Sequence, residues 1–120
     1  MIKMTEMSDK VSLKQQMGEL DIKPVILINK FTVADEDVDA MVEAWKKDAD
    51  FFRGQPGYIF TQLHKGIGGS NVYINYAEWS SVEDFRNAFS QPEFMGYMKE
   101  YPDSVVASPH LFEKISPWSK

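Results

Sequence analysis

The chain contains no cysteine. That excludes disulfides, thiol nucleophiles and thiolate metal sites. It has only two histidines, His64 and His110, with no clustered acids beside them, a poor signature for a metal centre. No apolar run approaches the roughly 20 residues needed to span a bilayer. The first ten residues lack an apolar stretch of the secretory kind, so a cytoplasmic location is expected. Basic residues are outnumbered, 13 Lys and Arg against 18 Asp and Glu, for a net charge of −5. Neither nucleic acid nor an anionic membrane is an expected partner, because both need clustered positive charge. What remains is a globular composition, 43% apolar and 13% aromatic over 120 residues. This is enough for one domain with a core and too little for two.

The elements follow from periodicity. Residues 1–22 carry only a weak apolar stripe (Val11, Leu13, Met17, Leu20), which predicts a mobile extension or a marginal helix. The folded domain is expected over 23–116, with 117–120 as a tail. Val25 to Phe31 is β-branched and apolar and predicts a strand. Asp35-Glu36-Asp37 places acids where a helix N-terminus favours them. Val38, Met41, Val42, Trp45, Ala49 and Phe52 then recur at helical spacing. Arg53-Gly54-Gln55-Pro56-Gly57 stops that helix.

Tyr58–His64 and Asn71–Trp79, joined by a Gly-rich turn, predict a hairpin. Ser80 or Ser81 caps the next helix, and Ser80 with Glu83 has capping-box spacing. Pro92 restarts a helix that carries Phe94, Tyr97, Met98 and Tyr101. Val105–Ile115 contains the last strand, with Pro109 at an edge or at the strand's start. The order β-α-β-β-α-β predicts an α+β, ferredoxin-like fold: a four-stranded antiparallel sheet with two helices on one face. Both faces of the strands are apolar. Val25, Leu27 and Phe31 oppose Ile26 and Ile28, and Tyr73, Ala77 and Trp79 oppose Val72, Ile74 and Tyr76. An uncovered apolar face predicts a homodimer packed sheet to sheet.

Several motifs stand together in this order: the Asn29 strand, Gln55-Pro56-Gly57-Tyr58, the Glu78-Trp79-Ser80 hinge, Gln91-Pro92-Glu93-Phe94 and Pro109-His110-Leu111-Phe112-Glu113. Over roughly residues 24 to 115 the chain resembles the antibiotic biosynthesis monooxygenase family. The resemblance implies a dimeric α/β barrel. Its members include oxygenases that act on polyaromatic or quinol compounds with O₂ and no metal or flavin, and a branch that binds and degrades haem. In the haem branch, Asn29 is matched, but Met98 and Ala88 stand where that branch has its ligating His and distorting Trp. This argues against haem chemistry of that type and leaves haem binding through another residue open.

For catalysis the residue types point to Asn29 as a donor to a substrate oxygen, and to His64 or His110 as a general base titrating near neutrality. Phe31, Tyr73, Trp79 and Phe89 are candidate pocket walls, and Gln62 and Asn75 are weaker polar candidates. Three functions fit: a cofactor-free monooxygenase of a small aromatic or quinone-like compound, a non-catalytic ligand-binding or stress-related dimer, and a haem-handling protein.

Overall fold

The computed structural model describes residues 1–116. Five strands form one sheet: β1 (Lys3–Met4), β2 (Val25–Thr32), β3 (Tyr58–Lys65), β4 (Val72–Trp79) and β5 (Val106–Phe112). Their spatial order is β1-β5-β2-β4-β3. The four long strands pair antiparallel, as expected, and β1 joins the edge of β5 in parallel. The helices are α1 (Leu13–Gln16), α2 (Val38–Arg53), α3 (Val82–Phe89) and α4 (Pro92–Met98). The second predicted helix is thus broken in two, where Pro92 starts α4. The fold is α+β and ferredoxin-like, with one strand more than predicted. The tail at 117–120 lies outside the described residues.

The helices pack on one sheet face. That face carries Val25, Leu27 and Phe31 of β2 and Tyr73, Ala77 and Trp79 of β4, all buried, with Met41, Phe85 and Ala88 of the helices against them. This aromatic-rich layer between sheet and helices is the main source of stability, since burial of each large apolar side chain is worth about 2 kcal/mol. Trp79 sits at its centre, edge-on to Phe52, Tyr58 and Phe85 at centroid distances of 5.8, 5.7 and 5.9 Å.

Residues 1–22 include the short helix α1, one of the two forms expected of this segment, and touch the domain at several points. Ile2 and Leu13 are buried in the two core clusters. β1 is held by Lys3 N–H to Val105 C=O at 2.9 Å and Thr5 N–H to Ala107 C=O at 2.8 Å. Ser12 and Gln15 form a full capping box that starts α1. Gln16 then completes the sheet edge, with its amide donating to Leu111 C=O at 3.0 Å and accepting from Leu111 N–H at 3.0 Å. Short polar segments of this kind show little periodicity, so their anchoring is visible only in tertiary contacts. Pro109 fits the same edge. Leu111 N–H points outward to Gln16, so the missing N–H two residues earlier also faces outward, between β1 and Gln16, and no ladder bond to β2 is lost.

At the hinge after β4, Ser81 rather than Ser80 is the cap, accepting from Asp84 N–H at 3.0 Å. Gly57 lies beneath it with φ +84°, and its C=O accepts from Ser80 N–H at 2.8 Å. A Cβ there would fall 2.3 Å from the Asp84 carboxylate, so both backbone and space require glycine.

Candidate active site

A cavity lies between the sheet and the helices. β2 contributes Asn29 and Phe31, and β4 contributes Asn75 and Trp79. α2 contributes Trp45, Asp48 and Phe52, and Phe89 comes from α3. Met98 and Tyr101 close it from the end of α4, with Ile2 and Met4 as the wall from β1. The cavity measures about 40 Å³, room for about three waters. Apart from the two asparagines, Thr61, the two tyrosines and Asp48, the walls are apolar.

Asn29 and Asn75 sit directly opposite each other in the β2–β4 register. Strand alternation puts both side chains on the helix-facing side. Thr61 donates to the Asn75 carbonyl oxygen at 2.6 Å. This orients the Asn75 amide and leaves its NH₂ to donate elsewhere. Asn29 Oδ1 is buried and has no hydrogen-bond partner. An orphaned buried carbonyl costs about 1–3 kcal/mol, and such groups are rare outside functional sites. Together the pair offers one free donor and one free acceptor to an oxygen atom in an aromatic-walled space.

Sequence reasoning misses Asp48 as a site residue. It is 8% exposed, the single buried charged side chain among the described residues. Tyr101 donates its hydroxyl to Asp48 Oδ2. Burial pushes the Asp48 carboxyl up to about 7, against the smaller lowering effect of the Tyr101 hydrogen bond. Burial, and then the neighbouring carboxylate, hold the Tyr101 phenol well above its usual range. A signal is present in the sequence. Asp48 lies seven residues after Met41, four after Ala44 and three after Trp45, in the middle of the apolar stripe of α2.

The structure brings some of the predicted residues together and separates others. Asn29, Phe31, Trp79 and Phe89 line the cavity. Tyr73 is buried core, 4% exposed, and is not part of the lining. The two histidines do not meet Asn29. His64 alternates with Leu63, and His110 with Pro109 and Leu111, so both imidazoles project from the opposite face of the sheet. There His64 lies 3.2 Å from Gln62 Oε1 and 6.4 Å, ring to ring, from Tyr76. His110 Nε2 meets the Gln16 amide at 3.1 Å, and its ring lies edge-on to Phe112. The base role expected of either histidine therefore has no access to this cavity. A two-residue period fixes which residues share a face, but it leaves open which face the helices cover. Haem also fits poorly here. No imidazole lines the cavity, Met98 offers only a thioether, and Ala88 is packed against the core cluster around Phe85.

The profile of the antibiotic biosynthesis monooxygenase family matches residues 24–100. Deoxynogalonate monooxygenase of Streptomyces nogalater is 32% identical over 76 residues, 63% of this chain and 64% of that protein, just under two thirds of its length. Tetracenomycin-F1 monooxygenase of Streptomyces glaucescens is 30% identical over 94 residues, 75% of this chain and 80% of that protein. Among solved structures, SnoaB, described as a cofactor-independent oxygenase from Streptomyces nogalater, superposes with a TM-score of 0.75 at 26% identity, covering 82% of this chain and 99% of its own. With the profile spanning 24–100 and a relative 30% identical across three quarters of the sequence, the chain belongs to the antibiotic biosynthesis monooxygenase family.

Proposed function

We propose that this protein is a monooxygenase that oxidises an aromatic or quinol-type compound with O₂ and without a bound metal or flavin. The observation that carries this reading is the Asn29–Asn75 pair, one amide unpaired and the other pre-oriented by Thr61, inside aromatic walls. A phenol, or an aromatic ketone with a ring methylene, places its oxygen between the two amides and its rings against Phe31, Trp79 and Phe89. Trp and Phe walls suit flat apolar ligands. The reaction balances without a co-reactant. A ring CH₂ and O₂ give a ring C=O and water, the two hydrogens and the electrons coming from the substrate. The Asn75 NH₂, oriented by Thr61, donates to the substrate oxygen and stabilises the oxyanion from which an electron passes to O₂, while Asn29 Oδ1 accepts from the O–H of the un-ionised substrate. The similarity to relatives named as monooxygenases of deoxynogalonate and tetracenomycin F1, and to an oxygenase described as cofactor-independent, supports the same reading.

A three-ring substrate exceeds the closed cavity. Met4 and Met98 stand in its wall, and their unbranched side chains yield by rotation rather than by backbone movement. The test is O₂ consumption with anthrone as probe, with anthraquinone as the product. Equimolar O₂ loss and anthraquinone formation is the expected outcome. Ligand-dependent thermal stabilisation with no O₂ loss would instead place the protein among non-catalytic binders.

The second apolar sheet face supports a homodimer. Ile28, Phe60, Ile74 and Tyr76, all half-buried, lie there beside the buried Ile26, on the face opposite the helix-packed one. A second copy of the same sheet is the complementary surface.

A further inference from the structure

The site as described holds a substrate oxygen but offers no base to take its proton, because Asn29 Oδ1 accepts a hydrogen bond without being a base and both histidines are on the far side of the sheet. We propose that Asp48 is that proton acceptor. The inference rests on the monooxygenase reading for its substrate class, an aromatic compound with a phenolic or enolic O–H.

The geometry is specific to one group. Asp48 is the single acid lining the cavity. Its Oδ2 is occupied by the Tyr101 hydroxyl, and no other hydrogen bond to the carboxylate occurs among the described residues, so Oδ1 is free. Asp48 reaches the cavity from α2, on the helix side, while Asn29 and Asn75 reach it from the sheet. An aromatic ring admitted between them by rotation of Met4 and Met98 would have the amides on its sheet side and Asp48 on its helix side. Tyr101 is itself fixed, its ring stacked on Phe31 with centroids 6.1 Å apart. The carboxylate is therefore aimed rather than free to rotate.

The charges around Asp48 favour the same assignment. From the end of α4 it faces Tyr101. From β3 the cavity receives Tyr58, the other titratable group. No Lys, Arg or His lines the cavity among the described residues. The adjacent Lys47 turns outward to Glu100 at 2.8 Å. Nothing cationic neutralises Asp48, so its negative charge is retained only at the expense of burial, and transfer of a proton from the substrate relieves that burden. The substrate O–H bond breaks (in anthrone, the ring C–H bond whose loss gives the same kind of anion), the proton passes to Oδ1, and the electron pair stays on the substrate as a phenolate or enolate whose oxygen accepts from the Asn75 NH₂. Tyr101 acts through Asp48 and is a positioning residue.

Two measurements test this separately from the oxygenase reading. The first is the pH profile of kcat/KM for anthrone oxidation by wild type, Asp48→Asn and Tyr101→Phe. The expected wild-type profile rises through a limb near pH 7. Asp48→Asn loses about a hundredfold or more in rate and loses the limb. Tyr101→Phe keeps turnover but moves the limb to higher pH, because the hydrogen bond that favours the carboxylate is gone. Wild-type turnover with Asp48→Asn slowed less than tenfold, or with the limb in place, overturns the proposal and leaves the oxygenase reading intact.

The second measurement needs no turnover. Binding of 4-nitrophenol is followed by its absorbance from pH 5 to 9. 4-Nitrophenol itself ionises near neutrality, so the limb that reports Asp48 is the acid one: if a single proton is shared between Asp48 and the ligand oxygen, wild-type affinity falls about tenfold per pH unit as pH drops below 7, and Asp48→Asn affinity does not. No binding to wild type, or the same profile in both proteins, overturns the assignment whether or not anthrone is oxidised.

Discussion

At the residue scale, the proposed function rests on two polar groups in the core, Asn29 and Asp48. Asn29 leaves a buried carbonyl oxygen without a partner. Such a group lowers stability in the empty protein and contributes only when a ligand fills the space. Asn29→Ala is therefore expected to leave folding stability unchanged or raise it, by about 1–3 kcal/mol at most, while lowering kcat/KM for anthrone by about tenfold to a hundredfold. Chemical denaturation and O₂ uptake on the same preparation check both halves.

Asp48 makes a complementary prediction about pH. Its carboxyl is raised from 3.8 to about 7 on folding, chiefly by burial. Between those values the folded protein holds a proton that the unfolded chain has released. Stability from this group is complete below about pH 4 and is lost as pH rises through about 7. The loss across that window amounts to roughly 4 kcal/mol at most. Asp48→Asn, which never charges, is expected to flatten the stability profile and to melt higher than wild type at pH 8. A variant more stable yet less active is the mark of a group kept for chemistry.

At the element scale, the strand-to-helix hinge and the sheet edge each depend on one residue. Gly57→Ala would demand a left-handed backbone of a residue with a Cβ and push that Cβ against Asp84. A loss of about 2 kcal/mol or more is expected, seen as a shift in the denaturation midpoint with unchanged slope. Gln16 replaces a missing strand at the outer edge of β5, serving the N–H and C=O of Leu111 and the ring of His110. Gln16→Ala is expected to cost about 1–2 kcal/mol and to raise amide exchange at Leu111 first, as an edge opening does.

At the scale of the whole molecule, the helices cover one sheet face and leave the other apolar. Sedimentation equilibrium at micromolar concentration is expected to give twice the chain mass of 13.8 kDa. Ile74→Lys, a charge set in the middle of that face, is expected to give monomers without altering the cavity, whose lining excludes Ile74. A stable wild-type monomer would remove the homodimer.

Much of this was legible in the chain. The βαββαβ order was readable because strands and helices bury side chains at different periods, two and near 3.6. The opposition of Val25, Leu27 and Phe31 to Ile26 and Ile28 followed from the same rule. Asn29, Trp79 and Phe89 were identifiable as site candidates by residue type, not by the face they occupy. Three matters were decided only by tertiary structure. Which face meets the helices is set by long-range packing, and that choice put His64 and His110 outside the cavity. The order of residues 1–22 comes from edge bonds to β5, which sequence separations of about a hundred residues conceal. The role of Asp48 comes from desolvation among Trp45, Met98 and Tyr101, an effect that exists only once distant segments close around a charge.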